Sequence, residues 1–295
     1  MSTTLHTVGM LNGCLFNQYA LDIFEGNLRV ATTILSFWSF AVVDENSAFP
    51  KQQLIFKNYI TILEIPGDTG KALEVVGITE IFGKDGEDFT SIYFFEKIAY
   101  AYDSSIDATN PFHFVNVTDP TNPKVVGLLE ISNFSSSYVY SMTGDNTLLV
   151  VLGREINDFG LELAVIDALD PVMPVVVQRY VVETDKGSLS FSAVRYDTAV
   201  FQYLSLGLDF GLVILSINIF NTTESSDILF DGFIVFDVSR DGISERFQIS
   251  QVSSDYRHNH GKSLVFNGNL MTMKGNSTLS TNLDSGKIVW QSTFG

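Results

Sequence analysis

The sequence predicts an all-β fold in which a strand–turn–strand unit repeats along the chain. Two similar segments, DPTNPKVVGLLEI at 119–131 and DPVMPVVVQRYVV at 170–182, start about 50 positions apart. Each follows a segment, FHFVNV or LELAVIDAL, that is rich in the residue types strands favour. No long stretch keeps apolar residues at helical spacing between helix caps. These three observations exclude a helical repeat.

The Asp-Pro step is expected to end one strand and begin a turn. Proline offers no N–H to a sheet, and an aspartate carboxylate can accept hydrogen bonds from the backbone of a turn. A second proline, Pro123 or Pro174, then restricts the turn before the next strand.

Further copies of the unit appear along the chain. EVVGITEI at 74–81 shares five of its eight residues with KVVGLLEI at 124–131. The segments at 232–249 (GFIVFDVSRDGISERFQI) and 278–294 (TLSTNLDSGKIVWQSTF) repeat strand, turn and strand without the prolines. A polar insertion at 218–232 (NIFNTTESSDILFDG) lengthens one interval and suits an exposed loop.

The intervals between these turns hold further strands. Residues 90–102, 136–153 and 191–204 are each predicted to form a hairpin around a short polar centre, such as GDN at 144–146. Two hairpins per ~50 residues give four strands, which is one blade of a β-propeller. The 295 residues therefore hold about five to six four-stranded blades in a single domain, 1–295.

The ring is expected to be incomplete at its amino end, with an N-terminal portion of the full protein missing. A split final blade, closed by both termini, is the alternative. Blades that stack face to face bury both faces of a strand, which explains continuous apolar runs such as LLVVL and GLVIL. The 24 phenylalanines suit the wedge-shaped gaps between blades.

Charge and composition exclude several classes of protein. The chain has 34 acidic and 17 basic residues, a net charge of −17, which repels phosphate backbones and excludes nucleic acid as a partner. The single cysteine, Cys14, excludes an internal disulfide. The apolar stretch at 204–220 carries Asp209 and predicts two buried strands around a turn, so we expect no transmembrane span. No secretory signal is visible at the start.

Four segments carry a family resemblance: 17–33 (NQYALDIFEGNLRVATT), 86–102 (GEDFTSIYFFEKIAYAY), 114–142 (FVNVTDPTNPKVVGLLEISNFSSSYVYSM) and 163–177 (LAVIDALDPVMPVVV). In content and order, from about Leu11 to Leu283, the chain resembles the secreted proteins with a C-terminal β-propeller domain. It is also similar to propeller repeats built on a Leu-Val-Ile-Val-Asp strand. The resemblance implies an extracellular or cell-surface propeller with no reaction whose residues carry over. Unlike most members, the chain shows neither an export signal nor an additional amino-terminal portion.

Two kinds of metal site are candidates. His258 and His260 alternate along a predicted strand, so they project from one face and could supply two ligands to zinc or another transition metal. A blade-edge pair without a metal is the alternative. The acidic segments at 83–89 (GKDGEDF) and 103–107 (DSSID) offer oxygen ligands for calcium but lack the spacing of a dedicated calcium loop. No other cofactor is expected.

Catalytic motifs are sparse. LDSGKIVW at 283–290 looks like the Gly-Lys-x-x-Trp repeat of quinone-cofactor propellers, but Trp290 is its one match, so it supports the fold rather than an enzyme. There is no Gly-x-Ser-x-Gly elbow and no phosphate-binding glycine motif. Asn-x-Ser/Thr sequons stand at Asn116, Asn133, Asn221 and Asn276, and Asn221 is the expected glycosylation site if the protein is exported.

Two functional hypotheses follow. The first is a non-catalytic scaffold or binding module, whose loops on one propeller face contact a protein or glycan partner. The second is a hydrolase or lyase with acids or a metal in the axial channel. An apolar patch rimmed by aromatic residues favours the first, and several Asp, Glu or His side chains converging in one pocket favour the second. The sequence favours the first.

Overall fold

The computed structural model describes residues 6–40, 51–83, 88–104, 109–156, 160–182, 188–221, 228–252 and 261–294. Within these ranges the chain forms strands and three short 3₁₀ helices, Gln18–Ala20, Ala193–Arg195 and Thr198–Val200, with no α-helix. The all-β prediction is therefore confirmed. None of the helices described is long and apolar enough to cross a membrane.

The chain divides into two compact units. Unit 1 comprises Met1–Ser132 and Pro171–Pro174, and its strands form two four-stranded antiparallel sheets in which chain neighbours pair. Sheet 1 contains β1 (Leu21–Phe24), β2 (Asn27–Phe40), β3 (Lys51–Glu64) and β4 (Glu74–Ile78), and sheet 2 contains β5 (Asp88–Phe95), β6 (Ile98–Ser104), β7 (Thr109–Asn116) and β8 (Lys124–Ser132).

Unit 2 comprises Asn133–Asp170 and Val175–Gly295 and contains three further antiparallel sheets. Sheet 3 consists of β9 (Phe134–Ser141), β10 (Leu148–Glu155), β11 (Leu161–Asp167) and β12 (Val175–Val181). Sheet 4 consists of β13 (Ser188–Phe191), β14 (Phe201–Ser205), β15 (Phe210–Asn221), β16 (Ile228–Ser239) and β17 (Gly242–Ser250), and sheet 5 of β18 (Lys262–Phe266), β19 (Asn269–Lys274), β20 (Ser277–Asn282) and β21 (Ile288–Thr293).

Most of the predicted hairpins are confirmed, and one is wrong. β5 and β6 pair across residues 90–102, β9 and β10 pair around the GDN turn, and β14 and β15 pair around Asp209. The predicted hairpin at 191–204 does not form, because its two halves, β13 and β14, both pair with β15 rather than with each other. Two 3₁₀ helices separate the halves.

The continuous apolar runs are buried on both faces of their strands. Every residue of LLVVL, at 148–152, is at most 2% exposed, and the residues at 212–215 are at most 1% exposed. In unit 2 these strands contribute to a core cluster that includes Val150, Val165, Val213 and Phe236. Unit 1 has its own cluster around Ile60, Ile92 and Val115.

Each of the five sheets carries a β-bulge where the last two strands of its order pair. In sheet 4, β13 and β14 both occupy the first position beside β15, so β16 is the third strand and β17 the fourth. A bulge leaves one residue of the fourth strand unpaired and bends that strand. The paired residues of the fourth strand at this point are Gly77, Gly127, Gln178, Phe247 and Trp290. The first four of them contact the turn between the third and fourth strands of the following sheet, and we call each such contact a sheet junction.

In unit 1 the junctions depend on glycine in the fourth strand. A Cβ atom at Gly77 would overlap the carbonyl oxygen of Pro120, and one at Gly127 would overlap the carbonyl oxygen of Pro171. A larger residue at either position would therefore push the Asp-Pro turn away. This contact explains why EVVGITEI and KVVGLLEI share their glycine.

In unit 2 the small residue lies on the turn instead. Gln178 Oε1 accepts a hydrogen bond of 3.0 Å from the N–H of Ile243, and a Cβ at the preceding Gly242 would overlap that oxygen. At the next junction a Cβ at Gly286 would lie 3.0 Å from the ring of Phe247. Gly242 and Gly286 also have positive φ angles of 143° and 67°, a region that favours glycine.

The Asp-Pro turn is held as the sequence predicts. Asp119 Oδ1 accepts hydrogen bonds from the backbone N–H of Thr121 at 2.9 Å and from its hydroxyl at 2.7 Å. These two hydrogen bonds lower the pKa of the Asp119 carboxyl below its usual value, and the bond from the Thr121 hydroxyl has the larger effect. Asp167, at the end of β11, accepts a comparable bond of 2.9 Å from the N–H of Leu169.

The junction at Gly127 yields a stability prediction. Gly127→Ala is expected to lower the free energy of unfolding by about 1–3 kcal/mol, because the added methyl group has no space beside the backbone of Pro171. The midpoint of urea unfolding measures this change.

Gly67→Ala is the matched control within unit 1, since a Cβ there would meet nothing within 4 Å. It should leave the midpoint unchanged or raise it by the equivalent of about 0.4–1 kcal/mol. Equal losses in the two variants would show that the contact with Pro171 does not limit the residue at 127.

Candidate functional site

The sequence-predicted metal ligands lie largely outside the described residues. His258 and His260 fall within 253–260, and the acidic segments at 83–89 and 103–107 overlap the gaps at 84–87 and 105–108. The zinc and calcium hypotheses therefore stay predictions. Among the residues that are described, no group of three or more His, Cys, Asp or Glu side chains could hold a metal ion.

The other residues singled out in the sequence have structural surroundings. His6 Nε2 lies 2.9 Å from the carbonyl oxygen of Pro66. His113 is 7% exposed and packs its ring against Phe82 at a centroid distance of 5.4 Å. Cys14 is exposed, and Trp290 on β21 is about half exposed. None of them contributes to a described cluster of reactive groups.

The interrupted first strand of sheet 4 creates a cavity in unit 2. β13 pairs with the end of β15, and β14 pairs with its beginning. Between them the chain leaves the sheet through the helices Ala193–Arg195 and Thr198–Val200. The space beside this departure is a cavity of about 200 Å³ between sheets 3 and 4, which we call the β13 cavity.

The walls of the β13 cavity are mostly apolar and aromatic. Leu152, Leu161 and Leu189 supply aliphatic surface, and Phe191, Tyr196 and Phe220 supply aromatic rings. The rings of Phe191 and Tyr196 are tilted by 31° at a centroid distance of 6.2 Å. Tyr196 is 73% exposed and therefore lies at the rim.

Three serines, one arginine and one glycine complete the described lining: Ser137, Ser190, Ser192, Arg154 and Gly153. Ser190 Oγ accepts a hydrogen bond of 2.6 Å from the N–H of Leu161, which joins β13 to β11. The described residues of this lining include no carboxylate, imidazole, thiol or lysine side chain. They can hold a ligand by shape and hydrogen bonding.

A second polar group in unit 2 is completely buried. The side chains of Asp231 on β16 and Lys274 on β19 are both 0% exposed and form an ion pair. Asn218 Nδ2 donates a hydrogen bond of 2.6 Å to Asp231 Oδ1, and Lys274 Nζ lies 3.4 Å from Ser216 Oγ. Although a serine beside a lysine resembles a nucleophile and its base, Lys274 is held in the ion pair with Asp231. The group is a structural link between sheets 4 and 5.

Gln251 extends this link. Its Oε1 accepts a hydrogen bond of 2.7 Å from the hydroxyl of Thr272, and its Nε2 donates one of 2.8 Å to the carbonyl of Ser277. Its backbone N–H donates at 2.8 Å to the carbonyl of Asp231. These bonds satisfy polar atoms that would otherwise destabilise a buried sheet contact.

Arginines link neighbouring sheets of unit 2 near the junctions. Arg240 pairs with Asp167 at 2.6 Å, and Arg246 pairs with Asp237 at 2.8 Å while donating to the carbonyl of Leu283 at 3.2 Å. The hydrogen bond that Arg240 donates to Asp167 raises the pKa of Arg240, and the one that Arg246 donates to Asp237 raises the pKa of Arg246. Asp167 and Asp237 lie at or near the ends of β11 and β16. The sequence repeat predicted these positions but not the arginines that pair with them.

Comparison with known proteins agrees with this architecture. The model of the family described as "Beta propeller domain" matches residues 1–285. The chain belongs to the β-propeller domain family. The five sheets match the five to six blades that the sequence predicts.

The relatives of this β-propeller domain include two archaeal proteins that are themselves uncharacterised. An Archaeoglobus fulgidus protein is 32% identical over 184 residues, which cover 62% of this chain. A Methanocaldococcus jannaschii protein is 30% identical over 172 residues, 58% of this chain. The matched segments span 24% of the length of each relative.

Solved structures similar to this β-propeller domain are also propellers. The β-propeller domain of the Trilobed protease from Pyrococcus furiosus has a TM-score of 0.39 at 9% identity, covering 95% of this chain and 85% of that one. The Nup133 β-propeller domain of Vanderwaltozyma polyspora has a TM-score of 0.35 at 8% identity, covering 82% and 68%.

The buried ion pair yields a second prediction. Lys274→Met is expected to lower the free energy of unfolding by about 3–5 kcal/mol, because it leaves the carboxylate of Asp231 buried without its cation. The midpoint of urea unfolding is the measurement. Replacing both residues, with Lys274→Met and Asp231→Leu, should recover most of the loss.

The exposed pair of Lys71 and Asp68 provides the control, with side chains 68% and 75% exposed. Lys71→Met should change the free energy of unfolding by no more than about 1 kcal/mol. A Lys274→Met variant as stable as Lys71→Met would contradict the structural role of the buried pair.

Proposed function

We propose that this β-propeller domain is a non-catalytic binding module and that the β13 cavity holds a group of a glycan partner. The observation that supports this most directly is the composition of the cavity lining. Aromatic and aliphatic walls with a few hydroxyl groups are typical of ligand sites. A hydrolase or lyase needs a positioned acid and base or a metal site, and the part of the lining that the structure describes contains no such group.

The fold supports binding by a rigid surface. The strands behind the β13 cavity, β10, β11 and β15, are almost entirely buried. Alternate side chains of these strands, such as Val150, Val165 and Val213, belong to one core cluster of unit 2. A site on such strands is formed before the ligand arrives, so little free energy is spent on ordering it.

The aromatic rim favours a glycan over a protein partner. A protein interface usually needs a broad contact area of about 800 Å² on each side, whereas the β13 cavity is a small pocket whose rim residue Tyr196 is exposed. A pyranose ring presents a C–H face to an aromatic ring and hydroxyls to serine side chains. Both kinds of group are present in this cavity.

The proposal includes a position outside the cell or at its surface, which the resemblance to secreted propellers supports. Of the four sequon asparagines, Asn276 is exposed in the turn between β19 and β20. Asn116 instead accepts a hydrogen bond of 2.9 Å from the N–H of Thr118, and Asn221 ends β15 half-buried. Asn276 is therefore a better expected glycosylation site than Asn221.

Binding without chemistry can be tested on a glycan array. The labelled protein should be retained by a subset of glycans, and Tyr196→Ala should reduce the signal at least tenfold, because it removes an aromatic side chain from the rim. Glycans recovered after incubation should keep their mass, and treatment with EDTA should leave retention unchanged.

Leu208→Ala is the control, since Leu208 is 92% exposed in the turn between β14 and β15, does not line the β13 cavity and should not affect retention. Glycans recovered at a lower mass would indicate an enzyme. Absence of retention, or retention unaffected by Tyr196→Ala, would contradict binding at this cavity.

A further inference from the structure

Ser192 occupies a position where its hydroxyl would ordinarily cap a helix. It precedes the 3₁₀ helix Ala193–Arg195, yet its side chain makes no capping hydrogen bond. The equivalent residues of the other two 3₁₀ helices do cap: Asn17 accepts from the N–H of Tyr19 at 2.8 Å, and Asp197 accepts from the N–H of Ala199 at 3.0 Å. The hydroxyl of Ser192 is therefore not used to hold the local backbone.

The same hydroxyl is buried without a partner in the described part of the chain. Ser192 is 4% exposed, lines the β13 cavity, and its Oγ has no hydrogen-bond partner among the residues that the structure describes. A buried polar group left unpaired destabilises a protein. A hydroxyl can donate one hydrogen bond and accept two, so a ligand hydroxyl at this point could satisfy it in either direction.

The cavity also restricts the charge of the ligand. The protein carries a net charge of −17, and the resulting field opposes an anionic ligand. Among the described lining residues, no carboxylate is present to pair with a cationic ligand, and Arg154 is the one charged side chain. An uncharged ligand avoids both penalties.

The size and shape of the cavity restrict the ligand further. The cavity volume of about 200 Å³ lies below the ~300–1,000 Å³ of sites for drug-sized molecules. The rings of Phe191 and Tyr196 stand on the cavity wall 6.2 Å apart and offer flat apolar surface. One six-membered ring that is apolar on its face and hydroxylated at its edge fits both limits.

We infer that the β13 cavity holds one uncharged pyranose ring of a glycan, with a ring hydroxyl bonded to Ser192 Oγ and the C–H face against Phe191 and Tyr196. This inference rests on the proposed function, because it names the sugar class that the binding module recognises.

Isothermal titration with free sugars tests the inference. The probes are the methyl glycosides of D-glucose, D-galactose, D-mannose and N-acetyl-D-glucosamine, with D-glucuronate and D-glucosamine as the charged counterparts. We expect at least one neutral glycoside to bind, both charged sugars to bind at least tenfold more weakly, and Ser192→Ala to weaken the neutral glycoside about tenfold.

Stability measured without sugar separates recognition from folding. Ser192→Ala should leave the unfolding midpoint unchanged or raise it, because it removes an unpaired buried hydroxyl. Ser190→Ala should lower the midpoint, because it removes the acceptor for the N–H of Leu161. Ser91→Ala is the matched control: Ser91 is also buried with no described partner for its hydroxyl, but it is not among the residues that line the cavity and should not alter affinity.

Three results would overturn the inference. They are tighter binding of glucuronate or glucosamine than of any neutral glycoside, equal affinities of wild type and Ser192→Ala, and no binding of any free sugar. If glycans are still retained on the array in a manner that depends on Tyr196, the binding module stands and the sugar class is wrong. If array retention is also absent, both proposals fail.

Discussion

The structure depends on the close approach of each sheet junction, where the fourth strand of one sheet meets the turn of the next. The bulge bends the fourth strand at the contact, and one of the two partners must be small. In unit 1 the strand supplies the small residue, Gly77 or Gly127. In unit 2 the turn supplies it, as Gly242 or Gly286. The junction recurs at four of the five described sheets, and in the first three of these its residues Gly77, Gly127 and Gln178 are about 50 positions apart, as in the repeat visible in the sequence.

The location of the β13 cavity follows from the same constraint. The junctions are formed by the fourth strand of one sheet and the segment that joins the third and fourth strands of the next. The first strand takes no part in a junction, and in sheet 4 it is interrupted by two 3₁₀ helices without disturbing the contacts of β16 and β17. The interruption exposes aromatic and hydroxyl groups beside a rigid wall, which is how a packed repeat can acquire a binding pocket.

Much of the fold could be predicted from the sequence because the repeat is local. A turn with Asp, Pro or Gly between β-branched runs can be recognised without knowing the partner strand, and the hairpins at 90–102 and 136–153 are confirmed. The prediction of a hairpin at 191–204 is wrong because both of its halves pair with β15. Which strand they pair with depends on the long strand β15 that follows, and the local sequence pattern does not contain that information.

The β13 cavity could not be predicted for a related reason. No sequence pattern distinguishes Ser192 from other serines. It stands out in the structure because it does not cap the following 3₁₀ helix and lines a cavity together with side chains of sheet 3. The buried pair of Asp231 and Lys274 joins residues about 40 positions apart, and neither residue differs in sequence from a surface charge. The glycine shared by 74–81 and 124–131 was visible, but its cause, the carbonyl oxygen of the next turn, appeared with the structure.

A double-mutant cycle at one junction tests the central claim most directly. Gly242→Ala alone should be strongly destabilising, because the added Cβ would overlap Gln178 Oε1, and Gln178→Gly alone moderately so. If the two residues compete for the same space, the double variant, which moves the small residue to the fourth strand as in unit 1, should be more stable than the two losses predict by at least about 1 kcal/mol. Additive losses, within about 0.5 kcal/mol, would show that the two residues do not share a contact and would contradict the account.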